Sequence, residues 1–169
     1  LDGAIWNIVE HVNEPSDFLS TLNNSMIKRS PNGSYATMLY GILDISKDEF
    51  IYSTAGAPLP IVVTPGHDKA VMGTGKGLPL GAVPNAPYTQ NKISILQDET
   101  LLIYSDGIVE NPNTAHEIIG RAGAAHYFQN IYRHHPAPIT AQHLLKSFLY
   151  DTNQPPIDDS TLICCHRNL

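Results

Sequence analysis

Apolar residues recur at every third or fourth position along parts of the chain and bunch into short β-rich runs along others. Phe18, Leu19, Leu22, Met26 and Ile27 mark one face of a helix. Pro15 or Ser16 opens it and Ser30-Pro31-Asn32-Gly33 closes it. An apolar stretch before it, with Ile5, Trp6, Ile8 and Val9, predicts a shorter helix ending near His11. The period then changes. Residues 35–43 and 50–54 are rich in β-formers, and the polar residues 44–49 between them have hairpin length. Residues 60–64 predict a third strand. Residues 65–87 carry too much Gly and Pro for a regular element, and predict a long surface flap with strand pieces near Val71. Residues 92–96 and 101–104 predict a further strand pair, joined by 97–100.

Helical spacing then returns. Thr114 with Glu117 three residues on has the spacing of a capping box. Ile118, Ile119, Ala122, Ala125, Tyr127, Phe128 and Ile131 continue that helix to about Tyr132, with Gly120 and Gly123 as points where it splits. Pro136-Ala137-Pro138 breaks it. Thr140 caps a last helix whose stripe is Leu144, Leu145, Phe148 and Leu149, and residues 161–165 form the closing strand. This order predicts a segregated α+β fold with antiparallel sheets and helices outside.

Composition narrows the class. A chain of 169 residues with 42% hydrophobic and 15% charged content fits one globular domain, residues 1–169, with a proper core. The net charge is −6, and Lys28-Arg29 is the only adjacent Lys/Arg pair, which argues against nucleic acid or an anionic membrane as partner. No apolar run approaches the ~20 residues that span a bilayer. Leu1-Asp2-Gly3 lacks the basic start of a signal peptide, and with no initial Met the N-terminus is expected to be cut or incomplete. The two cysteines, Cys164 and Cys165, are adjacent, a poor geometry for a disulfide. They read as small strand residues of a reduced, cytoplasmic protein.

Two acidic turns carry the candidate chemistry. Asp106-Gly107 follows the apolar run 101–104, and Asp158-Asp159 precedes the apolar run 161–165, about fifty residues later. Asp-Gly is also a common turn, and acids after Pro155-Pro156 also cap loops. Their placement distinguishes them: one acid leaves a strand and the other enters one, so in neighbouring antiparallel strands the two ends lie side by side. Carboxylates converging there repel unless a cation or protons intervene. Oxygen-only ligands point to Mg²⁺ or Mn²⁺ rather than Zn²⁺.

Other signals are weaker. The eight histidines show no metal spacing: His134-His135 lies near a helix end, and His116, His126 and His143 are too far apart for one ligand face. Gly73-Thr74-Gly75-Lys76-Gly77 lacks the Ser or Thr that a phosphate-binding loop carries after Gly-Lys. No Gly-x-Ser-x-Gly sequence supports serine hydrolysis.

Five stretches, in order, resemble the metal-dependent PP2C-type (PPM) protein phosphatases, in particular their bacterial SpoIIE and RsbU-like branch. They are Phe18-Leu19-Ser20-Thr21-Leu22-Asn23, the run 35–44, Tyr52-Ser53-Thr54-Ala55-Gly56, Gly77-Leu78-Pro79-Leu80-Gly81 and the pair of acidic turns. The last resemble the family's Ser/Thr-Asp-Gly and Asp-Asp-x-Thr metal motifs. The resemblance implies an αββα sandwich of two antiparallel sheets flanked by helices, with two Mn²⁺ or Mg²⁺ ions at one edge. It implies that water activated by the metals attacks the phosphorus of a phosphoserine or phosphothreonine, with no catalytic side chain forming a phosphoenzyme. Asp106 and Asp158 match the metal ligands, while Gly107 and Asp159 stand beside them without ligating.

The chain also departs from the pattern. The family's earlier Gly-Asp strand and Asp-x-x-Gly-His-Gly turn have no counterpart here, and Ala55-Gly56-Ala57 replaces an Ala-Gly-His found in many relatives. The domain is therefore expected to be N-terminally incomplete, weak or inactive by itself, and preceded by a receiver or sensor domain, as in two-component response regulators. The implied partner is a phosphorylated protein such as a STAS-type anti-sigma-factor antagonist. The alternatives are a non-catalytic regulator of the same fold that docks a partner, and an α+β domain whose acids only cap turns.

Overall fold

The computed structural model describes residues 5, 12–29, 33–134, 139–152 and 158–168. The short helix expected up to His11, the Pro136 breaker and the Pro155-Pro156 approach lie outside these, apart from a helical Ile5. The elements in chain order are α1 (Pro15–Arg29), β1 (Met38–Asp44), β2 (Glu49–Ala55), β3 (Ile61–Val63), β4 (Val71–Met72) and β5 (Asn91–Ser94). There follow β6 (Thr100–Tyr104), α2 (Asp106–Val109), α3 (Gly120–His134), α4 (Ala141–Thr152) and β7 (Leu162–His166). Every strand pairing is antiparallel, in two sheets ordered β1-β2-β5 and β4-β3-β6-β7. No described helix is long and apolar enough to cross a membrane.

The chain divides into two compact units. The first comprises Leu1–Ala57 and Thr74–Ser94 and holds the three-stranded sheet. The predicted stripe of α1 is its core: Phe18, Leu19, Leu22 and Met26 are buried with Ala55, Leu80, Ala86 and Tyr88. Phe18 stacks on Tyr40 of β1 at 3.9 Å between ring centroids. Each such side chain removed from water stabilises the fold by roughly 1.5–3 kcal/mol.

The expected flap is firmer than its composition predicts. Its second half belongs to this unit and is tied down by buried side chains. Asn23 on α1, fully buried, accepts a hydrogen bond from Gly81 N at 2.8 Å and donates to Val83 O at 3.0 Å. Tyr52 Oη donates to Thr74 O at 2.7 Å and accepts from Thr74 N at 2.8 Å. Tyr88 Oη donates to Leu78 O, and Leu80 exchanges backbone hydrogen bonds with Ala36. Gly81 has φ +83°, and a Cβ there would meet Ser34 O at 2.6 Å, so both conformation and space call for glycine.

The second unit comprises Pro58–Gly73 and Ile95–Leu169. Its sheet, centred on β3 and β6, packs against α3 and α4. Phe128, Tyr132, Leu144 and Phe148 are fully buried there with Ile61, Val63, Leu102 and Ile108. Thr140 Oγ1 accepts from His143 N at 3.3 Å, as the cap of α4 predicts. Cys164 and Cys165 are free, half-buried residues of β7. Burial pushes the Cys164 thiol up to about 11, with Cys165 beside it adding to the rise.

Two sequence expectations are corrected. Residues 92–96 and 101–104 do not pair: β5 lies beside β2, whereas β6 lies between β3 and β7. The connection is shaped by Glu99, whose carboxylate accepts from Leu96 N at 2.8 Å and Thr64 Oγ1 at 2.9 Å, while Asp98 adopts φ 65°. The third helix begins at Gly120, whose φ is +66°, rather than near Thr114, and Gly123 lies inside it without splitting it. Asn113 explains the late start. Its Oδ1 accepts from Ala115 N and Glu117 N, which offers this backbone an alternative to helix. His116 therefore lies in a turn with φ 63°, not on a helix.

Candidate metal centre at the junction of two acidic turns

The second unit brings the two acidic turns together through the register of β6 and β7. Thr100 pairs with His166 and Tyr104 with Leu162, so the ladder runs out where one strand ends and the other begins. One step further, Ser105 N donates to Thr161 O at 3.1 Å. The side chain of Ser105 then reaches across. Its Oγ donates to Asp159 O at 3.0 Å and accepts from Thr161 N at 2.9 Å.

Past Ser105 the chain does not form a simple Asp-Gly turn. It enters the short helix α2, with Ser105 extended at its N-cap position (φ −80°, ψ 165°) and Asp106 as first residue. Ile108 and Val109 are buried and anchor this helix to the core. Gly107 is buried under the opposite turn: a Cβ there would lie 2.6 Å from Asp159 O and 3.1 Å from Asp158 O. Real side chains do not tolerate such backbone approaches, so the absence of a side chain at Gly107 is what lets the two turns meet.

The acids themselves face solvent. Asp106 is half-buried, and Asp158 and Asp159 are exposed. Asp158 Oδ1 accepts from Asp159 N at 2.7 Å. None of the ion pairs Lys47–Asp44, Lys92–Glu49 and Arg133–Asp68 among the described residues involves these three carboxylates. No group of three or more His, Cys, Asp or Glu placed to hold a metal occurs among the described residues. The donors present suit a hard cation by type, and they are few in number.

The Ser105 hydroxyl is spent on backbone partners. Burial pushes the Tyr104 phenol up to about 12, against a small opposing pull from Arg121, so it stays neutral near pH 7. Sequence reasoning missed the bridging role of Ser105. Its signal was present, a hydroxyl residue directly before the strand-terminal acid, but its partners are more than fifty positions away.

The antiparallel sheets and flanking helices match those of PP2C phosphatase domains. The family model described as Stage II sporulation protein E (SpoIIE) matches residues 1–168, and the chain belongs to this family. It is 26% identical over 168 residues to protein IcfG of Synechocystis sp. (strain ATCC 27184 / PCC 6803 / Kazusa), covering 98% of this chain and 25% of that protein. The structure of the RsbU and RsbW domains of Rv1364c from Mycobacterium tuberculosis is similar with a TM-score of 0.75 and 26% identity, over 98% of this chain and 45% of that one. The manganese-presoaked phosphatase domain of SpoIIE from Bacillus subtilis matches in fold with a TM-score of 0.61 at 16% identity, over 99% and 72%. The chain thus spans a quarter of the curated relative's length and under half of the Rv1364c chain.

Proposed function

We propose that this chain is a Mn²⁺- or Mg²⁺-dependent protein serine/threonine phosphatase domain of bacterial signalling, with Asp106 and Asp158 as metal ligands. The observation that carries this reading is the meeting of the two acidic turns, whose carboxylates have no ion-pair partner among the described residues, in a member of the SpoIIE family. Acids on turns that meet, with no ion-pair partner among the described residues, favour binding a hard cation over standing unpaired. The manganese soak of the SpoIIE domain supports the choice of ion. Bound there, Mn²⁺ or Mg²⁺ supplies Lewis-acid charge neutralisation and a lowered pKa for water. The chain's own part is to hold Asp106 at the start of α2 and Asp158 across from it, with Gly107 keeping the gap narrow. Asp159 contributes its backbone carbonyl to the clasp rather than a ligand.

The substrate in this reading is a phosphoserine on a signalling protein, such as a STAS-type anti-sigma-factor antagonist. The RsbW domain beside the RsbU domain of Rv1364c supports a signalling-partner context. The test is hydrolysis of a phosphoserine protein by the full-length protein with Mn²⁺. Asp106→Asn abolishes it; activity that survives the substitution overturns the assignment. With two matched ligands in this reading, the 169-residue chain alone is expected to bind Mn²⁺ only in the millimolar range and not to turn over p-nitrophenyl phosphate. Robust turnover by this chain alone would contradict that.

A further inference from the structure

We propose that Ser105 is the positioning residue of this centre: its side chain, not the strand ladder, fixes the second acidic turn against the first. The inference rests on the metal-centre reading above, and extends it to a residue that holds no metal itself.

The geometry is specific. The last ladder pair is Tyr104 with Leu162, and β7 begins at Leu162, so the stretch that carries Asp158 and Asp159 lies beyond regular sheet pairing. Across this gap the Ser105 hydroxyl makes two bonds of opposite sense, donating to Asp159 O and accepting from Thr161 N. A hydroxyl has one proton to give and lone pairs to accept with, so one Oγ satisfies both. Together with Ser105 N to Thr161 O, these are three contacts from one residue to the turn.

The internal bonds of the opposite turn are short-range. Asp158 Oδ1 takes the Asp159 amide, and Ser160 Oγ donates weakly to Asp158 O at 3.4 Å. Such bonds shape the turn without fixing where it sits relative to Asp106. Gly107 permits the approach but exerts no pull. Ser105 therefore controls how far apart the carboxylates of Asp106 and Asp158 rest. Residues that orient metal ligands typically change metal affinity ~10–100-fold when removed.

The test compares Ser105→Ala, Ser105→Thr and Asp106→Asn in the full-length protein. Mn²⁺ affinity is read by calorimetry, and Thr161 amide exchange is read in the metal-free protein. Ser105→Ala is expected to weaken Mn²⁺ binding about tenfold and to speed Thr161 exchange, with the global unfolding transition retained. Ser105→Thr, which keeps the hydroxyl, restores both. Wild-type Mn²⁺ affinity in Ser105→Ala overturns the proposal. If wild type and Asp106→Asn bind Mn²⁺ alike, the metal reading itself fails. The clasp is then judged on exchange alone: faster Thr161 exchange in Ser105→Ala upholds it, and unchanged exchange overturns it.

Discussion

Residues 74–88 look loose in sequence and are pinned by Asn23, Tyr52 and Tyr88, all buried, whereas the junction of the acidic turns looks like two tidy strand ends and is held by one half-buried serine. In the first region, polar atoms removed from water must find partners, and each bond fixes a stretch of irregular backbone. In the second, the carboxylates stay in water and have no cationic partner among the described residues. Rigidity here follows the burial of polar groups rather than the regularity of the backbone. The candidate chemistry sits where the fold spends least to hold it.

The largest effect is expected at Asn23. Asn23→Ala strands the Gly81 amide and the Val83 carbonyl and should cost about 3 kcal/mol in chemical denaturation; a loss below about 0.5 kcal/mol would mean that these residues are not held by their buried partner. Gly107→Ala comes next. Its Cβ must push against Asp159 O, and overpacking of this kind costs roughly 1–3 kcal/mol. Tyr52→Phe removes the hydroxyl that both donates to and accepts from Thr74 and should cost about 1 kcal/mol.

Asp106→Asn sharpens the contrast from the other side. It should leave metal-free stability within about 0.5 kcal/mol while removing the Mn²⁺-induced rise in Tm, since only a ligand of the native state raises stability. A metal-free protein strongly destabilised by this change would show that the acid is structural.

The smallest effect concerns Asp44 at the β1–β2 turn. Hydrogen bonds from Ser46 and then Lys47 hold its carboxyl down at about 2. A lowered carboxyl contributes stability that is present above its ordinary value near 3.8 and lost as pH falls through about 2. Thermal melts between pH 5 and pH 2 should show a slightly steeper acid loss in wild type than in Asp44→Asn, and identical slopes would remove this turn from the account.

Much was legible because it is local. The three- and four-residue spacing of Phe18, Leu19, Leu22 and Met26 reports one buried face, and that face is buried. The same holds for Leu144 and Phe148. Thr140 caps its helix through a hydroxyl three residues from its partner. The paired acidic turns were legible for a related reason: antiparallel neighbours place an outgoing end beside an incoming one, and β6 and β7 are such neighbours. The errors came from partners that are not local. Hydrophobic pattern says that residues 92–96 and 101–104 are strands, but not which strands they join, and a four-residue connection looks the same in a hairpin as in a crossing between sheets. At Thr114 the capping-box spacing was outcompeted by Asn113, whose amide oxygen captured the Glu117 amide that a Thr114 cap would take.

By itself, the sequence determined most of the element types, the buried stripes and the two acid-bearing strand ends, because these depend on the periodicity of side chains along a backbone of fixed geometry. Only the tertiary structure decided that Asn23 closes on Gly81 and Val83, that β5 and β6 belong to different sheets, and that Ser105 clasps the turn of Asp158 and Asp159. Each of these joins atoms distant in sequence. Their energy comes from satisfying donors and acceptors that burial or close approach brings together, a condition set only once the chain has folded.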